Sequence, residues 1–142
     1  MPRPSGMLLT HGAGSDRTHE SLLDIEKKMA PLPVERMNFP YVEQGRKFPP
    51  DRAPKLINSI IETSKQMTEK YGLNPEHLLL GGRSMGGRMC SMAVAEGLPS
   101  IGLILISYPL HPPKEPEKLR IEHFDKIEVP CLFISGEKDP FG

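Results

Sequence analysis

One serine in this chain has neighbours that suit it to covalent chemistry. Gly82-Arg83-Ser84-Met85-Gly86 matches G-x-S-x-G, with an apolar run before it and a helical pattern after it. A serine on a sharp strand-to-helix turn is pushed out at the end of a sheet. Glycine is needed on both sides because a β-carbon would collide with adjoining backbone, so Gly82 and Gly86 are read as part of the site. The following helix start offers free N–H groups and a positive field where an oxyanion would form. Ser84 is therefore the candidate nucleophile, and the backbone N–H of Met85 one candidate oxyanion donor. The plainer alternative is a serine in a glycine-rich packing turn.

Two further segments bear on the same chemistry. His11-Gly12-Ala13-Gly14 closes the first apolar run, where a second oxyanion donor belongs, and the backbone N–H of Ala13 is assigned to it. Gly12 and Gly14 let the loop approach a substrate closely. His11 is read as propping this loop, with a role as catalytic base the lesser alternative. Ser135-Gly136-Glu137-Lys138-Asp139-Pro140 follows the last apolar run, the place for an acid that orients a histidine. Asp139 is the better candidate, Glu137 the alternative, and an ordinary Asp-Pro turn the bland reading. Arg83 and Arg88 are suited to an acidic substrate group, although ordinary ion-paired arginines are the favoured reading.

These residues need a scaffold, and hydrophobic patterning supplies one. Apolar runs at Met7–Thr10, Val34–Phe39, His77–Gly82, Ile101–Ser107 and Cys131–Ser135 predict strands. Helical spacing predicts helices over Glu20–Met29 (Leu22, Ile25 and Met29 inward), Pro54–Tyr71 (Leu56, Ile57, Ile60, Ile61, Met67 and Tyr71 inward) and Met85–Glu96, with a short charged helix over Glu115–Phe124. Pro40–Ala53 reads as a loop, the one segment long enough to wall a pocket. The alternation of strand and helix predicts an α/β fold: an open, mostly parallel sheet of about five strands, order 2-1-3-4-5, with helices on both faces. In that order the sheet reverses between strands 1 and 3, the crevice where open α/β sheets bind ligands. The loops that leave those strands carry His11 and Ser84.

Composition bounds the partners. The 142 residues balance 18 Lys+Arg against 18 Asp+Glu, which argues against nucleic-acid or anionic-membrane binding. The length fits a single domain, 1–142. Met1–Ser5 leads into a strand and not a signal-peptide core, so a cytoplasmic location is expected. Cys90 and Cys131 belong to no C-x-x-C pair and are read as two buried free thiols. No metal or cofactor is expected. The glycine run lacks the lysine and spacing of a phosphate loop.

The chain resembles α/β-hydrolases of the dienelactone-hydrolase-like branch. It is most similar to the hydrolase-like domain of the NSL-complex subunit three and testis-expressed-thirty family and its bacterial members. The resemblance rests on Leu9–Gly14, Gly81–Arg88, Ser107-Tyr108-Pro109-Leu110-His111-Pro112-Pro113 and Ser135–Phe141, with Asn38–Tyr41 and Asp51–Pro54 fitting the bacterial members. It implies a Ser–Asp–His site with Ser84 as nucleophile and Asp139 as acid, acting on a small ester or thioester. It also implies that the histidine follows one further strand beyond the acid, whereas His11, His19, His77, His111 and His123 all precede Asp139. His111 is close enough in the pattern to be an alternative base, though a loop-packing role is preferred. The expectation is a hydrolase domain lacking its final strand and helix, inactive as this chain, with β-edge residues near its end least stable. The alternative is a non-catalytic hydrolase-like binding or scaffold module with a protein partner.

Overall fold

A computed structural model describes residues 3–45, 49–110 and 120–135. Five strands, β1 (Gly6–Thr10), β2 (Val34–Arg36), β3 (Leu78–Arg83), β4 (Gly102–Ile106) and β5 (Cys131–Ile134), form one sheet in the order β2-β1-β3-β4-β5. Every pairing is parallel. Among the described residues the helices are α1 (Glu20–Met29), α2 (Pro40–Gln44), α3 (Ala53–Tyr71) and α4 (Met85–Ala95). The expected architecture and strand order are those observed.

The period-2 alternation of the strands sorts the core into two layers. Leu8, Leu78, Leu80, Leu103 and Leu105 face the α3/α4 side and pack with Ile57, Ile60, Met89 and Ala93. Met7 and Leu9 point the other way, onto Leu22 of α1, with Leu79 and Ile104 beside them. Helices therefore cover both faces. α3 begins with Pro54 in its first turn, where a missing N–H costs nothing, and ends at the left-handed Gly72. Its inward stripe includes Ser64 and Thr68, which spacing of apolar residues alone does not reveal. No helix among the described residues is long and apolar enough to cross a membrane.

Several expectations need correcting. Tyr71 is the last residue of α3 and is exposed, not inward. The second strand stops at Arg36, because the Phe39 N–H leaves the ladder for a histidine side chain. The Pro40–Ala53 loop opens with α2, whose first turn holds Pro40 and whose Tyr41 N–H donates to Asp51 Oδ2 at 3.1 Å. The described part of the charged helix, Arg120–His123, is not helical. The Arg120 N–H goes to Leu110 O at 2.6 Å instead of to a carbonyl four residues back, and only a 3-10 turn follows at Phe124–Lys126. Cys90 is buried, but Cys131 is exposed, because β5 is an edge strand.

Candidate active site

Ser84 stands where β3 turns into α4. Its N–H still donates to Ile106 O of the neighbouring strand at 2.7 Å, while its own carbonyl already accepts from the Arg88 N–H at 3.1 Å. One residue thus ends the ladder and begins the helix, and it does so at φ 52°, ψ −119°. This conformation is rare for any residue with a β-carbon and costs about 1–3 kcal/mol. A serine at the residue before a helix ordinarily caps it through its hydroxyl. Here the side chain makes no capping bond, so Oγ is not consumed by the backbone.

The turn is possible only because the flanking residues lack side chains. A β-carbon on Gly82 would overlap Thr10 Oγ1 and come within 2.5 Å of Gly87 N. One on Gly86 would also overlap Thr10 Oγ1 and reach 2.5 Å from His11 O. The helix start therefore sits directly on β1 and β3. Thr10 fills the space beneath, donating its hydroxyl to Gly81 O at 3.1 Å next to Cys90 Sγ. Burial pushes the Cys90 thiol up to about 12, which makes it an inert packing group. Gly87, also pressed against Gly82 O, and Thr10 are site-building residues that the pentapeptide pattern does not include.

The loop after β1 lies against this turn. A β-carbon on Gly12 would stand 3.3 Å from Ser84 Cβ and 3.9 Å from Ser84 Oγ, so its backbone borders the serine. Ala13 and Gly14 form the exposed tip of a turn closed by Ser15 N–H to Gly12 O at 3.2 Å, with Gly14 at φ 74°. His11 anchors the loop from below. It is fully buried, and its Nε2 accepts the Phe39 N–H at 3.1 Å. The neutral ring must then carry its proton on Nδ1, which donates to Gly12 O at 2.8 Å. Burial lowers its pKa, opposed by the bond to Gly12 and by the charge of Asp16. The rings of Phe39 and Tyr41 meet it edge-on at 4.9 and 6.1 Å. Because a trans peptide points its N–H opposite to its C=O, holding Gly12 O fixes the direction of the Ala13 N–H. Met85 is the first residue of α4, so its N–H has no partner within the helix.

The structure thus brings Ser84, Met85 and the His11–Gly14 loop together, with Gly82 and Gly86 beneath them. Asp139, Glu137 and His111 lie outside the described residues. The other histidines are elsewhere or engaged: His19 caps α1, His77 precedes β3 at the end of the sheet away from Ser84, and His123 bonds Ser91. Among the described residues neither Arg83 nor Arg88 forms an ion pair.

Solved structures share this framework. YahD, solved with malic acid, superposes with a TM-score of 0.70 over 96% of this chain and 85% of its own, at 15% identity. The ydeN gene product from B. subtilis gives 0.68 at 16% identity, over 96% of this chain and 74% of its own. A putative dienelactone hydrolase from Klebsiella pneumoniae gives 0.67 at 13% identity over 94% of this chain, which spans only 61% of that protein's length. The sequence pattern of the alpha/beta hydrolase domain matches residues 3–142. With a strained serine at the strand-to-helix turn of a 2-1-3-4-5 sheet and a family match across almost its whole length, the chain belongs to the alpha/beta hydrolase family.

Proposed function

We propose that this protein is a serine hydrolase acting on an ester or thioester of a small acyl substrate. The observation that carries the reading is the Ser84 backbone: a costly conformation whose hydroxyl caps nothing. Ser84 Oγ attacks the acyl carbon, its proton passing to a histidine base and on to the leaving group. The N–H groups of Met85 and Ala13 hold the oxyanion, and water then releases the acyl group. Asp139 is the acid that orients the base. The stretch from Ser107 to Pro113 resembles the NSL-complex subunit three and testis-expressed-thirty branch and its bacterial members, and this resemblance supports the reading.

Among the described residues no histidine bonds Ser84. The same observation supports a second reading, a binding module that keeps the turn as architecture. Hydrolysis of p-nitrophenyl acetate by the full-length protein separates the two. Activity that is lost in Ser84→Ala supports the hydrolase. Equal rates in both proteins reject Ser84 as nucleophile, and no activity together with a stable co-purifying partner favours the module.

A further inference from the structure

One turn along α4 from Ser84, a second constellation of charge stands apart from the serine chemistry. Arg88 and Met92 of α4 meet Arg120, Glu122 and His123 around a cavity of ≈ 200 Å³. Its walls are held by short bonds. Arg120 is clamped by its own N–H to Leu110 O at 2.6 Å and by the Tyr108 hydroxyl, which donates to Arg120 O at 2.7 Å. Tyr108 is itself buried and packed edge-on against Phe124. Ser91 donates to Arg88 O at 2.7 Å, so its oxygen is left to accept from His123 Nε2, also at 2.7 Å.

The charges in this cavity are not balanced. Among the described residues neither Arg88 nor Arg120 is ion-paired, and Glu122 is the one carboxylate on the wall. The Arg88 Nε is buried with no hydrogen-bond partner. Buried donors in folded proteins nearly always have an acceptor. Burial and then the neighbouring Arg120 charge disfavour the Arg88 cation, and among the described residues two guanidiniums face this space against the single carboxylate of Glu122. The cavity is below the roughly 300 Å³ at which pockets for drug-sized ligands begin, which suits a small group.

We propose that this cavity is an anion site, in which Arg88 and Arg120 hold an oxyanion, a phosphate or a carboxylate, with His123 at its edge. Guanidinium forks match both anions with paired N–H bonds. The anion separates two like charges. Glu122 opposes binding and so limits affinity.

The test is calorimetric titration of the full-length protein with inorganic phosphate and, separately, with malonate, at low ionic strength. Saturable binding of either supports the proposal, and the tighter anion tells a phosphorylated ligand from a carboxylic acid. Arg120→Met, whose fold is checked by its melting curve, should weaken binding roughly tenfold or more. Glu122→Gln should tighten it. Ser84→Ala should leave it unchanged, so the anion site and the hydrolase reading fail separately. No saturable heat with either anion, or equal affinity in wild type and Arg120→Met, overturns the proposal.

Discussion

The strain at Ser84 can be weighed by comparing two substitutions at that one position. Ser84→Ala keeps the β-carbon and removes a hydroxyl that caps nothing, so stability should stay within about 0.5 kcal/mol of wild type. Ser84→Gly removes the β-carbon, and with it the roughly 1–3 kcal/mol that φ 52°, ψ −119° costs any other residue. Glycine loses about 0.5–1 kcal/mol of this through the greater freedom of the unfolded chain. Taking the middle of each range, the net expectation is that Ser84→Gly is more stable than Ser84→Ala by about 1 kcal/mol. For a chain of this size that is a rise in Tm of roughly 3–4 °C. Urea unfolding and calorimetry on the two variants measure it. Ser84→Gly equal to or less stable than Ser84→Ala would show that the turn stores no strain, and would remove the observation on which the functional reading rests.

Other outcomes follow from the same contacts. Gly86→Ala places a methyl 2.5 Å from His11 O and 2.9 Å from Thr10 C, backbone atoms that no rotamer change can move. It should lower stability by about 3 kcal/mol or more in denaturant unfolding, and a neutral result would mean that α4 does not rest on β1. His11 and His123 both have pKa values lowered from 6.5, first by burial. Below that value the unfolded chain binds the extra protons, so stability should be full above about pH 6.5, fall as pH drops through the lowered folded-state values, and then level. Unfolding free energies measured from pH 8 to pH 5 in a phosphate-free buffer test this, and a flat profile contradicts it. Finally, among the described residues β5 pairs only with β4, and Leu132, Phe133 and Ile134 are 57%, 46% and 47% exposed. Its amides should exchange with deuterium faster than those of β1 and β3, and equal protection would refute the assignment of β5 as the weakest strand.

Much of the sheet is legible because its strands are short apolar runs bounded by Gly and Pro. Leu78-Leu79-Leu80 and Leu103-Ile104-Leu105 are apolar on both faces, as strands covered by helices must be. The Ser84 turn is legible because steric need leaves a sequence trace in Gly82 and Gly86. Features fixed by a single long-range bond leave no such trace. β2 ends where Phe39 meets His11, and the region before Phe124 unwinds where Arg120 meets Leu110. α2 is concealed because Pro40 and Gly45 read as loop punctuation although Pro40 suits a first helical turn. The place of His11 before the loop glycines is readable, but its tautomer depends on Phe39, which lies 28 residues away. The cavity at Arg88 needed the fold, since three of its five lining residues come from Arg120–His123.

Covalent labelling at the serine tests the central claim most directly. The full-length protein is treated with a fluorophosphonate probe and the modified residue mapped by mass spectrometry, alongside Ser84→Ala. The account predicts a single label on the peptide containing Ser84 and none in the variant. Equal labelling of the two proteins, or a label that maps to another residue, would contradict it.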